Sequence, residues 1–134
     1  MTPTPTPTPS LELSELQLAV MRVLWQRRKA AVAEVQEALL PERDLALTTV
    51  ATVLTRLEKA GLVAHRASGR HYLYRPLVSE EQVRRSMVSV LAERLFEGDV
   101  AALVSHLVNA REIKPGDLAR VKQLIEAKER EGKR

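Results

Sequence analysis

The chain has 134 residues, 21 Lys and Arg against 17 Asp and Glu, 45% apolar residues and no cysteine. That size suits one domain, or one small domain with an appendage, and the apolar share rules out wholesale disorder. The missing cysteine excludes disulfides, cysteine zinc sites, thiol catalysis and thiolate redox sensing.

Only three histidines are present, His65, His71 and His106, and none pair at the i, i+4 spacing of a helical metal site. No apolar run approaches the ~20 residues of a bilayer span, and the first residues lack a basic and then apolar leader. A cytoplasmic protein is expected, with no cofactor, no metal and no membrane partner.

The net charge of +4 is unevenly spread. Residues 45–79 hold Arg56, Lys59, Arg66, Arg70 and Arg75 against one acid, Glu58, so this stretch carries the whole excess and the rest of the chain is neutral. Such a block is the footprint of a surface for a polyanion.

Residues 2–9 repeat Thr-Pro four times. Proline fixes φ and removes the amide donor, so residues 1–10 read as a solvated, polyproline-like tail. Ser14 and Gln17 form a capping box, and Leu16, Val20, Val23 and Leu24 recur at helical spacing to about residue 28. A short second helix over 31–40 puts Val32, Val35 and Leu39 on one face, with Pro41 just past its end. A third helix over 47–60 is closed by Gly61.

The period then changes. Residues 62–67 and 71–76 read as two short strands around Ser68-Gly69-Arg70, with Gly69 free to take the positive φ of a tight turn. Ser79 and Gln82 form a second capping box ahead of a helix of about 19 residues carrying Val83, Met87, Val90, Leu91 and Leu95. Gly98-Asp99 interrupts it. Val100, Leu103, Val104, Leu107 and Val108 follow, then a break at Lys114-Pro115-Gly116 and a last helix with Leu118, Val121, Leu124 and Ile125.

Three helices and a hairpin in this order make a winged helix-turn-helix. The expected fold is mainly α with a small β-hairpin: a winged-helix domain over 11–77 and a helical dimerisation domain over 78–134.

On a wheel at about 100° per residue, Val50, Val53, Leu54 and Leu57 form the buried stripe of the third helix. Thr48, Thr52, Thr55, Arg56 and Lys59 lie opposite, with Thr49 at the edge. Hydroxyls, methyls and cations are the groups that suit the major groove, and a bidentate Arg suits guanine. Threonine is a mediocre helix former, so four of them in eight positions weaken the helix without adding to the core. A phosphate or base-reading role for Thr48, Thr49, Thr52, Thr55, Arg56 and Lys59 accounts for them. Arg66 and Arg70 in the hairpin join this set, with Arg70 at the tip.

The C-terminal region is nearly neutral, with apolar stripes too wide for its short helices to bury against one another. A second copy of the chain is their natural cover. The expected dimer-forming residues are Val83, Met87, Leu91, Leu95, Leu103, Leu107, Leu118, Val121, Leu124 and Ile125.

Three stretches together resemble the penicillinase-repressor (BlaI/MecI-type) family of bacterial winged-helix regulators: LSELQLAVMRVLW at 13–25, LALTTVATVLTRLEKAGLV at 45–63 and RHYLY at 70–74. The resemblance covers roughly 11–127. It implies a homodimeric repressor on an operator palindrome, a recognition helix using Thr48, Thr49, Thr52 and Arg56, and a wing along the DNA backbone. It also implies relief by a regulatory protease that cuts the C-terminal domain in an antibiotic response.

The scissile Asn-Phe of the well-known members aligns here with His106-Leu107, the candidate cleavage position. The cysteines of the copper-responsive branch are missing. The trigger stays open.

A winged-helix regulator with a ligand trigger and a winged-helix protein-interaction module are the alternatives. An adaptor has no need of an acid-poor third helix. An enzyme is not expected, because there is no Gly-rich phosphate loop, no carboxylate pair near a histidine and no cysteine nucleophile.

Overall fold

The computed structural model describes residues 12–110 and 113–132. The Thr-Pro segment lies outside the described residues. The elements run α1 Glu15–Arg27, β1 Ala30–Ala31, α2 Val32–Leu39, α3 Leu47–Lys59, β2 Val63–Ser68, β3 His71–Pro76, α4 Glu80–Phe96, α5 Val100–Asn109 and α6 Pro115–Gly132.

Local chemistry sets most of these boundaries. Ser14 accepts from the Gln17 amide while the Gln17 side chain accepts from the Ser14 amide, the reciprocal box expected from the sequence. Ser79 and Gln82 repeat it at α4. Asp99 caps α5 by accepting from the Ala102 amide. Pro115 opens α6, where its missing amide hydrogen costs nothing. At the end of α3, Gly61 takes φ +82°, its amide reaches the Glu58 carbonyl and the Leu62 amide reaches that of Leu57. This Schellman turn sends the chain directly into β2.

The β part is larger than the expected hairpin. β1, β3 and β2 form a three-stranded antiparallel sheet in that order, with Ala30 opposite Tyr74 and Ala31 opposite Leu73. Ala31, placed in the second helix by sequence, ends this strand and serves as the N-cap position of α2. Ser68 faces His71 in register, leaving Gly69-Arg70 as a two-residue turn in which Gly69 has φ +61°.

The chain divides into two compact units, Met1–Val90 and Leu91–Arg134. In the first, Val20, Met21, Leu24, Val35, Val50, Leu54, Leu57, Val63 and Tyr74 pack into one core drawn from α1, α2, α3 and the sheet. Gln36 donates to the Leu45 carbonyl, and Arg43 pairs with Glu15 at 2.9 Å, fixing the α2–α3 turn.

This unit extends past the domain boundary expected at 77/78. Trp25 donates to the Val78 carbonyl, and Val83 at the start of α4 is buried. Val83, grouped by sequence with the dimer-forming residues, is 1% exposed and therefore serves its own chain. In the second unit, the rings of Phe96 and His106 pack with centres 5.8 Å apart, and neither α5 nor α6 has a buried residue.

Candidate nucleic-acid interface

α3 presents its expected faces. Val50, Leu54 and Leu57 are fully buried and Val53 packs beside them, while Thr48, Thr49, Thr52, Thr55, Arg56 and Lys59 are all exposed. Ala46 offers no side-chain cap, so the first turn of α3 keeps its amides free of side-chain partners. Arg66, Arg70 and Arg75 are exposed on the sheet, with Arg70 at the turn. The cationic residues of the 45–79 block thus project from α3 and the wing of one compact unit.

The threonines differ in detail. The hydroxyls of Thr52 and Thr55 donate to the carbonyls of Thr48 and Ala51, each at 2.9 Å. Both residues are exposed and their oxygens keep acceptor capacity, a pattern that suits a base amino group. Thr48 and Thr49, nearer the helix start, make no such bond among the described residues.

Thr55 also lies beside Tyr74 of β3. Burial, with the Glu58 carboxylate adding to it, holds the Tyr74 phenol above its ordinary value of 10.0, and the neighbouring Thr55 hydroxyl partly offsets the rise.

Glu58 is the single acid of the block, and its carboxylate contacts Nδ1 of His65 on β2, with Oε2 at 2.6 Å. Glu58 and His65 lie on either side of the Gly61 turn. Their separation of seven residues is a helical spacing, but the Gly61 stop ends the helix between them, so sequence spacing does not flag the contact. Among the described residues no group of three or more His, Asp or Glu side chains is placed to hold a metal ion.

The model of the penicillinase repressor family matches residues 13–127. The chain belongs to that family. The transcriptional regulator BlaI of Mycobacterium tuberculosis is 42% identical over 98 residues, 72% of this chain and 71% of that protein. The methicillin resistance regulatory protein MecI of Mammaliicoccus sciuri is 21% identical over 117 residues, 87% of this chain and 95% of that protein.

Among solved structures, a mutant of MarR from E. coli complexed with operator DNA matches with a TM-score of 0.51 at 14% identity. It covers 87% of this chain and 76% of that one, a likeness of fold. As a member of this family the chain is a winged-helix transcriptional regulator, and the family is a non-enzymatic class. Among its described residues no helix is long and apolar enough to cross a membrane.

Proposed function

We propose that this chain binds a palindromic operator as a homodimer, with α3 in the major groove and the wing along the phosphate backbone. The observation that carries this reading is the outer face of α3. Thr48, Thr49, Thr52, Arg56 and Lys59 are all exposed there, with no acid among them. Thr55 is exposed beside Tyr74 of the wing, and its hydroxyl donates to the Ala51 carbonyl, which leaves its oxygen as an acceptor for DNA. Arg66 and Arg70 supply phosphate contacts from the sheet, which fix register without reading sequence.

Dimerisation is supported by apolar side chains left in solvent on the second unit. Leu95 is 67% exposed, Leu124 63% and Ile125 50%, with Leu91, Leu107 and Leu118 also exposed and Leu103 and Val121 half-buried, while Met87, half-buried, belongs to the first unit. A face of this kind asks for a partner, and a two-fold copy places two recognition helices about 34 Å apart on one side of the duplex. For relief we propose proteolysis within the second unit. The His106–Leu107 bond lies inside α5 and both residues are exposed, so a protease that reads extended chain must first open that turn.

Selection of genomic fragments retained by the purified protein tests the reading. The expected result is enrichment of a palindrome, with affinity falling as salt rises by a log–log slope of about −0.9 per neutralised phosphate. Failure to enrich any site, or an affinity indifferent to salt, overturns it.

A further inference from the structure

The contact between Glu58 and His65 is not used by the reading above. An acid beside a DNA-facing surface repels phosphate, so its presence needs a compensating role. Glu58 follows Thr55 by three residues and so shares its side of α3. Its carboxylate meets Nδ1 of His65, the ring of which lies 4.7 Å from that of Tyr72 and 5.4 Å from that of Tyr74. His65 pairs in register with Tyr74, which neighbours Thr55. The wing thus meets α3 at two neighbouring positions, and the polar tie between them is Glu58–His65. The residue after His65 is Arg66, and strand alternation sends it to the other face, away from α3.

We propose that Glu58 and His65 are positioning residues for DNA binding. They latch the wing to the recognition helix, so that Arg66 and Arg70 meet the backbone at a fixed distance from Arg56. The latch rests on the operator-binding reading above, and it accepts some phosphate repulsion in exchange for a preorganised surface.

Two roles for Glu58 predict opposite signs. As a bystander acid, its removal in Glu58→Ala tightens DNA binding. As a latch, Glu58→Ala weakens binding about 2- to 5-fold per protomer, the range of a partly exposed polar contact. Glu58→Gln loses the charge but keeps an oxygen that accepts from His65, so it binds at least as tightly as the parent. His65→Ala, at a more exposed site, weakens binding as Glu58→Ala does and carries the same test independently. Glu58→Ala/His65→Ala binds no more weakly than either single variant, because both remove one interaction.

The experiment titrates the full chain with the palindromic duplex recovered in the fragment selection and with a scrambled duplex. Backbone ¹⁵N relaxation across 66–71 supplies a second readout. Order there falls in Glu58→Ala while the α1 signals keep their native positions. Tighter or unchanged binding by Glu58→Ala, unchanged relaxation in the wing, or a double variant equal to the product of the singles overturns the latch and leaves operator binding standing. A parent that does not distinguish the two duplexes overturns operator binding and the latch together.

Discussion

The indole nitrogen of Trp25 donates to the carbonyl oxygen of Val78, 2.9 Å away and 53 residues along the chain. It joins the end of α1 to the segment that leads into α4, and both groups are partly buried. Trp25→Phe leaves that carbonyl without its donor and opens space beside the core. The expected loss is about 1–3 kcal/mol of unfolding free energy. Urea unfolding followed by circular dichroism measures it, since Trp25 is the only tryptophan and fluorescence is lost with it. Gln26→Ala, at an exposed neighbour, is the control and stays within about 0.5 kcal/mol of the parent.

On α3, Arg56 and Lys59 separate sequence reading from charge. Arg56→Ala weakens binding to the palindrome by about 1–3 kcal/mol and leaves scrambled duplex nearly unaffected, if its guanidinium reads a guanine. Lys59→Ala, nearer the helix end, weakens both duplexes alike. Titrations at matched ionic strength check the pair, and an equal loss on both duplexes for Arg56→Ala reassigns it to a phosphate.

Arg70 occupies the second position of a two-residue turn, as far from the core as the wing reaches. A phosphate contact there predicts that Arg70→Ala lowers the magnitude of the log–log salt slope by about 1 per protomer while sequence preference is kept. Affinity measured across a salt series gives the slope directly. A slope equal to that of the parent places Arg70 in solvent.

Elements whose causes lie within a few residues are legible in the sequence. Both serine capping boxes, the Gly61 helix stop, the Gly69 turn and the buried stripe of α3 depend on neighbours at i+3, i+4 or closer, and all appear as expected. β1 was not legible. Two alanines carry no strand pattern, and they pair only because β3 lies alongside, with Tyr74 and Leu73 more than forty residues away.

Val83 illustrates a second limit. Helical periodicity says which residues share a face and not what covers it. The first turns of α4 belong to the unit anchored by Trp25, while Leu91 and Leu95, further along, remain exposed. The Glu58–His65 contact and the approach of Thr55 to Tyr74 cross between α3 and the sheet, past the Gly61 stop where the helical period ends. Only the tertiary structure brings them together.

The Tyr74 phenol is held above 10.0 by burial and by Glu58. The folded chain therefore keeps a proton that the unfolded chain has already released once the pH passes about 10, so stability falls as the pH rises through that range. Its contribution is fully present below the unfolded value and disappears as the folded value is passed. Tyr74→Phe removes this linkage. Its unfolding free energy declines less than that of the parent between about pH 9 and about pH 11. Urea unfolding at several pH values checks this, and parallel curves for the two proteins count against the assignment.

Substitutions of one kind at two ends of α4 are expected to fail differently. Val83 is 1% exposed, so Val83→Asp puts a carboxylate where it has neither water nor a partner. The expected result is loss of folding stability by several kcal/mol, seen as a collapsed unfolding midpoint. Leu95 is 67% exposed and Leu91 41%, so Leu91→Asp/Leu95→Asp leaves the fold of the single chain intact. If these leucines meet a second copy, each association buries two pairs of carboxylates against apolar surface, and light scattering reports a monomer mass with native circular dichroism. That monomer binds a half-site with the affinity of one winged helix and loses the gain of two linked contacts. A dimer mass that survives both substitutions moves the interface to α6, where Leu124→Asp/Ile125→Asp is the corresponding test. The order of these results distinguishes a face that stabilises the protomer from one that stabilises the assembly.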